Sequence, residues 1–200
     1  MIKAAKKLKA IGRAGVGVDN IDIDEATKRG IIVMNTPDVN TISAAEHSIA
    51  MMLALSRNVS IGDSEVKQMK WNRHLLIGSE LRAKTLGLVG MGKIGREVMS
   101  RCISFGMNVL GYDPFVNKEM FKDGEIEIVD LDRLTEQSDF ISIHVPLNSD
   151  TTNLFDYKRL KKMKQTSRII NVSRGGIINE KDLSRALRDG VISGAAIDVF

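Results

Sequence analysis

Apolar residues recur along the chain in two spacings, and the order of these spacings predicts an α/β fold. Short continuous apolar runs of strand length occur at 85–89, 107–112, 125–129, 140–145, 168–172 and 195–200. Segments with helical spacing lie between several of them, most clearly at 131–138 and 180–188. Strands that alternate with helices favour a parallel sheet with helices on both faces. We therefore expect a doubly wound, Rossmann-like α/β domain.

The N-terminal residues contain a smaller unit of the same type. Residues 1–8 resemble the end of a basic helix, strands are predicted at 8–11 and 31–34, and a short helix at 24–29 ends at Gly30. A long helix is predicted from Thr41, where Ser43 and Glu46 have the spacing of a capping box. A second helix and a loop are expected over 60–81. We place the domain boundary near Pro37, giving domains 1–36 and 37–200.

Composition limits the classes of function. The chain is 43% hydrophobic and 27% charged, which is typical of a soluble globular protein. Its net charge of +4 is dispersed and its aromatic residues are six Phe, two Tyr and one Trp, so a nucleic-acid partner is not expected. The single Cys102 lies on an apolar helical stripe, and neither a disulfide nor a metal site is expected. No membrane span or signal peptide is visible, so we expect a reduced, cytoplasmic compartment.

The segment 85–113 has the order of a dinucleotide-binding fingerprint: a strand, a GxGxxG turn, a helix, a second strand and an acid. Gly90 allows the tight turn, Gly92 allows the backbone to approach a pyrophosphate, and Gly95 allows the helix to pack close to its strand. The N–H groups at the helix start attract phosphate oxygens. Asp113 has the spacing of an acid that meets ribose hydroxyls. The predicted cofactor is NAD.

Further polar residues follow other predicted strands. In a doubly wound sheet the first and fourth strands, counted from residue 85, are neighbours, and ligands bind outside their carboxyl ends. His144 ends the fourth strand, although a packed or capping histidine is the simpler interpretation. Arg174 precedes two glycines after the fifth strand, where its guanidinium could bind a carboxylate through paired hydrogen bonds. Asp198 lies in the sixth strand, whereas His47 and His74 show no partner pattern.

A glycine-rich loop at 12–20 is a second candidate for anion binding. Gly12, Gly15 and Gly17 leave several backbone N–H groups available, and such a nest can hold an anion. A plain glycine turn explains the same spacing.

Together, these segments resemble the D-isomer-specific 2-hydroxyacid dehydrogenases. The resemblance covers nearly the whole chain and rests on seven motifs in a specific order: GRAGVGVDNID (12–22), NTPDVNTISAAEHSIAMMLAL (35–55), LGLVGMGKIGREV (86–98), GYDP (111–114), HVPL (144–147), NVSRGGIINE (171–180) and GAAIDVF (194–200). It implies that residues 1–36 are the last part of a smaller, flavodoxin-like substrate domain. The remainder would be the nucleotide domain, without its last strand.

The resemblance also implies roles for individual residues. Arg174 would be catalytic and would bind the substrate's carboxylate and carbonyl. The amides around Gly15, Val16 and Gly17 would hold the carboxylate from the other side, and Arg13 would be placed for a phosphate. The remaining implied residues would contact the cofactor at its pyrophosphate, ribose or nicotinamide: Gly90, Gly92, Lys93, Ile94, Gly95, Asp113, His144, Val145, Pro146, Val172 and Asp198.

The activity implied is the NAD-dependent oxidation of D-3-phosphoglycerate to 3-phosphohydroxypyruvate, the first step of the phosphorylated route to L-serine, by a homo-oligomer paired through the nucleotide domain. A glyoxylate or hydroxypyruvate reductase and a non-enzymatic NAD-sensing scaffold are the alternatives. The family's general-acid histidine and its glutamate partner match nothing in this chain and are expected downstream of Phe200. The chain alone is therefore expected to be an inactive fragment.

Overall fold

The computed structural model describes residues 2–116, 119, 121 and 126–200. The chain divides into two compact units, Met1–Ser43 and Ala44–Phe200. The functional boundary expected near Pro37 stays a prediction.

The first unit is a small parallel α/β element. Strands β1 (Ala10–Gly12) and β2 (Ile32–Met34) pair in parallel, and helix α1 (Ile23–Lys28) connects them. Asp22 caps α1 by accepting a hydrogen bond from the Glu25 amide at 2.9 Å. The predicted basic helix before β1 is wrong, because the described residues 2–8 contain a 3₁₀ turn at Ile2–Ala4 and no α-helix. Three lysines at helical spacing in 3–7 would repel one another in a helix.

Two helices lie between β2 and the large sheet in the chain. Helix α2 (Thr41–Ser56) begins where predicted and buries Ala45, Ile49 and Met52. The expected capping box is wrong, because Ser43 is the third residue of this helix and not its cap. Helix α3 (Val59–Lys67) follows, and a 3₁₀ turn lies at Arg73–Leu76.

The second unit contains a six-stranded parallel sheet in the order β5-β4-β3-β6-β7-β8. Its first strand in the chain therefore pairs with its fourth, which confirms the predicted doubly wound topology. The strands are β3 (Thr85–Val89), β4 (Asn108–Tyr112), β5 (Glu127–Ile128), β6 (Phe140–Ile143), β7 (Arg168–Asn171) and β8 (Gly194–Ile197). Several are shorter than predicted; Asp198 follows β8, and Glu125 of the predicted strand 125–129 lies outside the described residues.

Helices cover both faces of this sheet. They are α4 (Lys93–Ser104), α5 (Leu131–Gln137), α6 (Tyr157–Leu160) and α7 (Glu180–Arg188). Two buried apolar clusters result, one containing Ile141 and Leu183 and the other containing Leu86 and Cys102. Within the part of the chain that the structure describes, no helix is both long and apolar enough to cross a membrane.

Candidate functional site

The glycine-rich loop follows β3 directly, at the carboxyl edge of the sheet. Gly90 has a φ of +98°, and a Cβ there would lie 2.6 Å from the carbonyl oxygen of His144. A Cβ at Gly95 would overlap the carbonyl oxygen of Gly90. The close packing of β3, α4 and the end of β6 therefore requires glycine at both positions.

Gly92 is a glycine for a different reason. It caps the N-terminus of α4, and a Cβ there would meet no heavy atom of the described residues within 4 Å. The first N–H groups of a helix have no partner inside the helix and, together with its dipole, favour an anion. The space beside Lys93 and Ile94, the first residues of α4, is therefore open to a ligand and favours an anion such as a pyrophosphate.

Asp113 follows β4, the strand next to β3. Its Oδ2 accepts a hydrogen bond from the Met91 amide at 2.9 Å, and its Oδ1 accepts one from the Phe115 amide at 2.9 Å. Since each carboxylate oxygen has two lone pairs, the group can accept two further hydrogen bonds. Its place and its capacity fit the predicted contact with ribose hydroxyls.

The segment after β6 brings His144, Val145 and Pro146 to the same edge of the sheet. The His144 amide donates to the carbonyl oxygen of Val89 at 2.7 Å, and its Nε2 lies 2.8 Å from the hydroxyl of the buried Ser142. Although the residue keeps some accessible surface, burial of the ring lowers the pKa of His144 to about 4. The imidazole is therefore neutral at pH 7.

Arg174 lies in the loop between β7 and α7, and a buried asparagine holds this loop. Asn171 accepts hydrogen bonds through Oδ1 from the amide and hydroxyl of Ser173, at 3.0 and 2.8 Å. Its Nδ2 donates to the carbonyl oxygen of Arg174 at 2.9 Å. Phe200 passes close to the same loop, because a Cβ at Gly175 would lie 2.6 Å from its carbonyl carbon. These contacts determine where the backbone presents the guanidinium.

Asp198 has a partner that sequence reasoning missed. Its Oδ1 lies 3.3 Å from Nε2 of His47, and both side chains are about half exposed (50% and 49%). The Asp198 amide also donates to the carbonyl oxygen of Asn171 at 3.0 Å. His47 has no local pattern because its partner comes from the opposite end of the second unit. Val172, also assigned to the nicotinamide end, packs on the core cluster that contains Leu86.

The glycine-rich loop at 12–20 lies in the first unit. The carbonyl oxygens of Gly15 and Val16 accept hydrogen bonds from the Thr36 amide at 3.2 Å and from Asn35 Nδ2 at 2.8 Å. The N–H of a trans peptide points opposite to its C=O, so the amides of Val16 and Gly17 are directed away from residues 35–36. This orientation is compatible with an anion nest at Val16 and Gly17. The Gly15 amide does not fit the prediction, because it already donates to the carbonyl oxygen of Arg13 at 3.0 Å.

Arg13 closes this loop on itself. Its Nη1 donates to the carbonyl oxygen of Gly17 and to Asn20 Oδ1, the latter at 2.8 Å. A guanidinium has five N–H donors, so these two bonds leave donors for the predicted phosphate.

The comparison with protein families identifies the chain. Residues 49–200 match the model described as "D-isomer specific 2-hydroxyacid dehydrogenase, NAD binding domain". The chain belongs to this family of dehydrogenases. The second unit therefore carries the family's NAD-binding domain, which confirms the cofactor and the family predicted from the sequence.

Curated relatives match over the whole chain. It is 50% identical to the D-3-phosphoglycerate dehydrogenases of Synechocystis and of Archaeoglobus fulgidus, each over 200 residues. The chain spans 36% and 38% of the length of these relatives.

Solved structures of dehydrogenases have the same fold. A D-lactate dehydrogenase from Aquifex aeolicus, complexed with NAD and lactic acid, is 35% identical with a TM-score of 0.88, over 97% of this chain and 58% of that one. An NAD-dependent formate dehydrogenase from Staphylococcus aureus, in complex with NAD, is 36% identical with a TM-score of 0.90, over 99% of this chain and 60% of that one.

Proposed function

We propose that the protein oxidises D-3-phosphoglycerate to 3-phosphohydroxypyruvate with NAD, the first step of the phosphorylated route to L-serine. The observation that carries this proposal is the 50% identity, over the whole chain, to relatives named D-3-phosphoglycerate dehydrogenase. A cytoplasmic location belongs to the same proposal, since the only cysteine of the chain is buried and offers no internal disulfide.

The carboxyl edge of the sheet would hold the cofactor. The loop at 90–95, with the amides of Lys93 and Ile94, would bind the pyrophosphate, and Asp113 would accept hydrogen bonds from the ribose. Val145, Pro146, Val172 and Asp198 would line the nicotinamide end, with His144 packed behind the glycine loop. Bound NAD would supply the hydride acceptor.

Arg174 is the catalytic residue of the proposal. Its guanidinium would pair with the substrate's carboxylate and polarise the reacting oxygen, because a planar fork can donate two parallel hydrogen bonds. In the first unit, the proposal assigns the amides of Val16 and Gly17, next to Gly15, to a carboxylate and Arg13 to a phosphate.

The reaction also needs a group that takes the hydroxyl proton. Such a group works best when its pKa lies near the operating pH. His144 is poorly matched, because burial lowers its pKa to about 4 and its Nε2 already contacts Ser142. A positioned acid or base contributes about 10²–10⁴-fold to the rate. His144 is therefore not assigned this role. Since the chain spans 36% and 38% of the length of the two relatives named above, we expect residues 1–200 alone to bind NAD with little turnover.

The test follows NADH formation with D-3-phosphoglycerate for two proteins side by side: a longer chain that contains this sequence, and residues 1–200 alone. Rapid turnover by the former and not by the latter would support the proposal. Faster NADH-dependent reduction of glyoxylate or hydroxypyruvate would favour the sister reductases. NAD binding with no turnover of any substrate would favour a sensor. Comparable rates for the two proteins would instead make a histidine within 1–200 the proton-transfer group.

Pairing of two copies through the NAD-binding domain is also proposed. Seven apolar side chains on α3 and the following segment are exposed, and a cluster of this kind commonly marks an interface: Val59, Ile61, Val66, Met69, Trp71, Leu75 and Ile77. Trp71 is 74% exposed, so Trp71→Glu should weaken pairing without unfolding the subunit. Light scattering would measure the mass of the assembly in solution. The control is Phe115→Glu, because Phe115 is 92% exposed and lies outside these seven residues. An unchanged mass for Trp71→Glu would contradict pairing through this face.

A further inference from the structure

Arg96 is an exposed residue that follows the last glycine of the loop, and its side chain turns back to that loop. Its Nε donates a hydrogen bond to the carbonyl oxygen of Met91 at 3.0 Å. Its guanidinium also lies 5.5 Å from the centre of the Phe121 ring, within the range of a cation–π contact. The side chain is therefore held in one place although it lies at the surface.

Met91 links this arginine to the acid of the fingerprint. The Met91 side chain is fully buried, and its amide donates to Asp113 Oδ2 at 2.9 Å. The carbonyl and amide of Met91 belong to two successive peptide planes, which only its φ and ψ can rotate against each other. Since Arg96 holds one plane and Asp113 is bonded to the other, the two side chains are coupled through a single residue.

The orientation of the Asp113 carboxylate matters for the ligand. The amides of Met91 and Phe115 each take one lone pair of this carboxylate. The lone pairs that remain can meet a ribose diol only if the plane of the carboxylate is correctly oriented. Any contact that fixes the Met91 amide therefore fixes this orientation before the ligand arrives, which lowers the entropic cost of binding.

We infer that Arg96 is a positioning residue for Asp113, and that it contributes to NAD affinity by holding the Met91 segment against this carboxylate and not by touching the cofactor. The inference rests on the proposed cofactor contacts of the 90–95 loop and Asp113. It predicts that the effect of Arg96 depends on the ribose hydroxyl that Asp113 binds.

The alternative is a general electrostatic effect, in which Arg96 attracts the anionic cofactor from a distance. A long-range attraction would act equally on every ligand with the same pyrophosphate. Positioning would act mainly on ligands that have the 2′-hydroxyl of the adenosine ribose. NAD and its 2′-deoxy analogue on the adenosine side carry the same pyrophosphate charge, so comparing them separates the two explanations.

The variants are Arg96→Met, which keeps an apolar stem and removes every donor, and Arg96→Lys, which keeps a charge and a donor. Arg101→Met is the matched control, because Arg101 lies on the same helix and its Nη1 donates to the carbonyl oxygen of Glu97 at 3.0 Å, away from the loop. Calorimetry would measure the Kd of each protein for NAD and for the 2′-deoxy analogue, and urea unfolding would compare stabilities.

Arg96→Met should weaken NAD binding by about tenfold, the scale of one hydrogen bond to a charged group. It should change binding of the 2′-deoxy analogue by no more than about twofold. The control Arg101→Met should change the Kd of neither ligand by more than about twofold, because the partly buried Arg101 pairs with Glu97 on its own helix, away from the loop. Arg96→Lys should recover part of the NAD affinity. Equal losses for both ligands, or no loss for NAD, would overturn the inference while leaving the proposed function intact. Failure of the unmodified protein to bind NAD would refute the proposed function, and the inference with it.

Discussion

Gly92→Ala is the most direct test of whether the loop at 90–95 binds a pyrophosphate, because the structure separates the effect of this substitution on binding from its effect on stability. Gly92 has φ −68° and ψ −165°, a conformation that alanine adopts without strain. A Cβ there would meet no described atom within 4 Å. Replacing glycine by alanine where the backbone is unstrained stabilises a protein by about 0.4–1 kcal/mol through the unfolded state, but alanine is a poorer N-cap than glycine by a similar amount. The two effects offset each other, so the variant should fold about as well as the parent.

Binding should respond in the opposite direction. In the proposed site, the added methyl would occupy the space through which the backbone approaches the pyrophosphate. Overpacking by one methyl group costs about 1–3 kcal/mol, which corresponds to a Kd for NAD raised by about 5- to 150-fold.

Gly95→Ala is the contrasting variant. Its Cβ would overlap the carbonyl oxygen of Gly90 and lie 3.2 Å from the carbonyl carbon, so α4 must move away from β3. We expect a loss of stability of about 1–3 kcal/mol or more. For a chain of 200 residues, each kcal/mol lowers Tm by about 2–4 °C.

Urea unfolding and calorimetric titration with NAD on both variants would give the two quantities. The reasoning is refuted if Gly92→Ala binds NAD like the parent, because the loop would then not approach the pyrophosphate at this residue. It is also refuted if Gly92→Ala is destabilised as much as Gly95→Ala.

Three further predictions follow from the same site. NADP should bind at least about tenfold more weakly than NAD, because the Asp113 carboxylate repels a 2′-phosphate. Asp113→Asn should reduce this difference in Kd between the two cofactors. Equal Kd values of the parent for both cofactors would contradict the assignment of Asp113 to the ribose. Arg174→Lys in the active protein should lose about 2–4 kcal/mol of transition-state stabilisation with NAD affinity nearly unchanged; a near-normal kcat/KM would remove Arg174 from the mechanism. His144 has its pKa lowered from 6.5 to about 4, so as pH falls through this window the unfolded chain takes up a proton that the folded chain does not. The free energy of unfolding should therefore decrease as the pH is lowered across that window, and should decrease less in His144→Asn. Urea unfolding at pH 7 and pH 4.5 measures this decrease, with His74→Asn as the control. An equal decrease for the parent and for His144→Asn would contradict the prediction.

The sequence predicted the sheet well because its strongest signals are local. The fingerprint at 85–113 and the alternation of strands and helices after it implied that the first and fourth strands, β3 and β6, are neighbours, and the structure confirms this pairing. Strand ends were less predictable, since they depend on the neighbouring strand. Strand β8, for example, ends at Ile197, opposite the last residue of β7, Asn171.

Contacts between distant segments could not be predicted from spacing. The pair of His47 and Asp198 forms because α2 and the end of β8 meet in the fold, and neither residue has a local signal for the other. The bond between Met91 and Asp113 lies within the fingerprint, yet the pattern GxGxxG treats Met91 as a variable position. The proposed role of Arg96 could not be predicted from the sequence for the same reason, since it acts through Met91.

Cys102 can report the transient separation of helix α4 from the sheet. It is the only cysteine of the chain, it is fully buried on α4, and burial raises the pKa of its thiol to about 12. A thiol reagent can therefore reach it only when the helix that begins at the glycine loop separates transiently from the sheet. The labelling rate measures the free energy of that separation, and a ligand bound at the start of α4 should slow labelling in proportion to its saturation. Cofactor affinity could thus be measured from the labelling kinetics of one native side chain, without substrate or turnover.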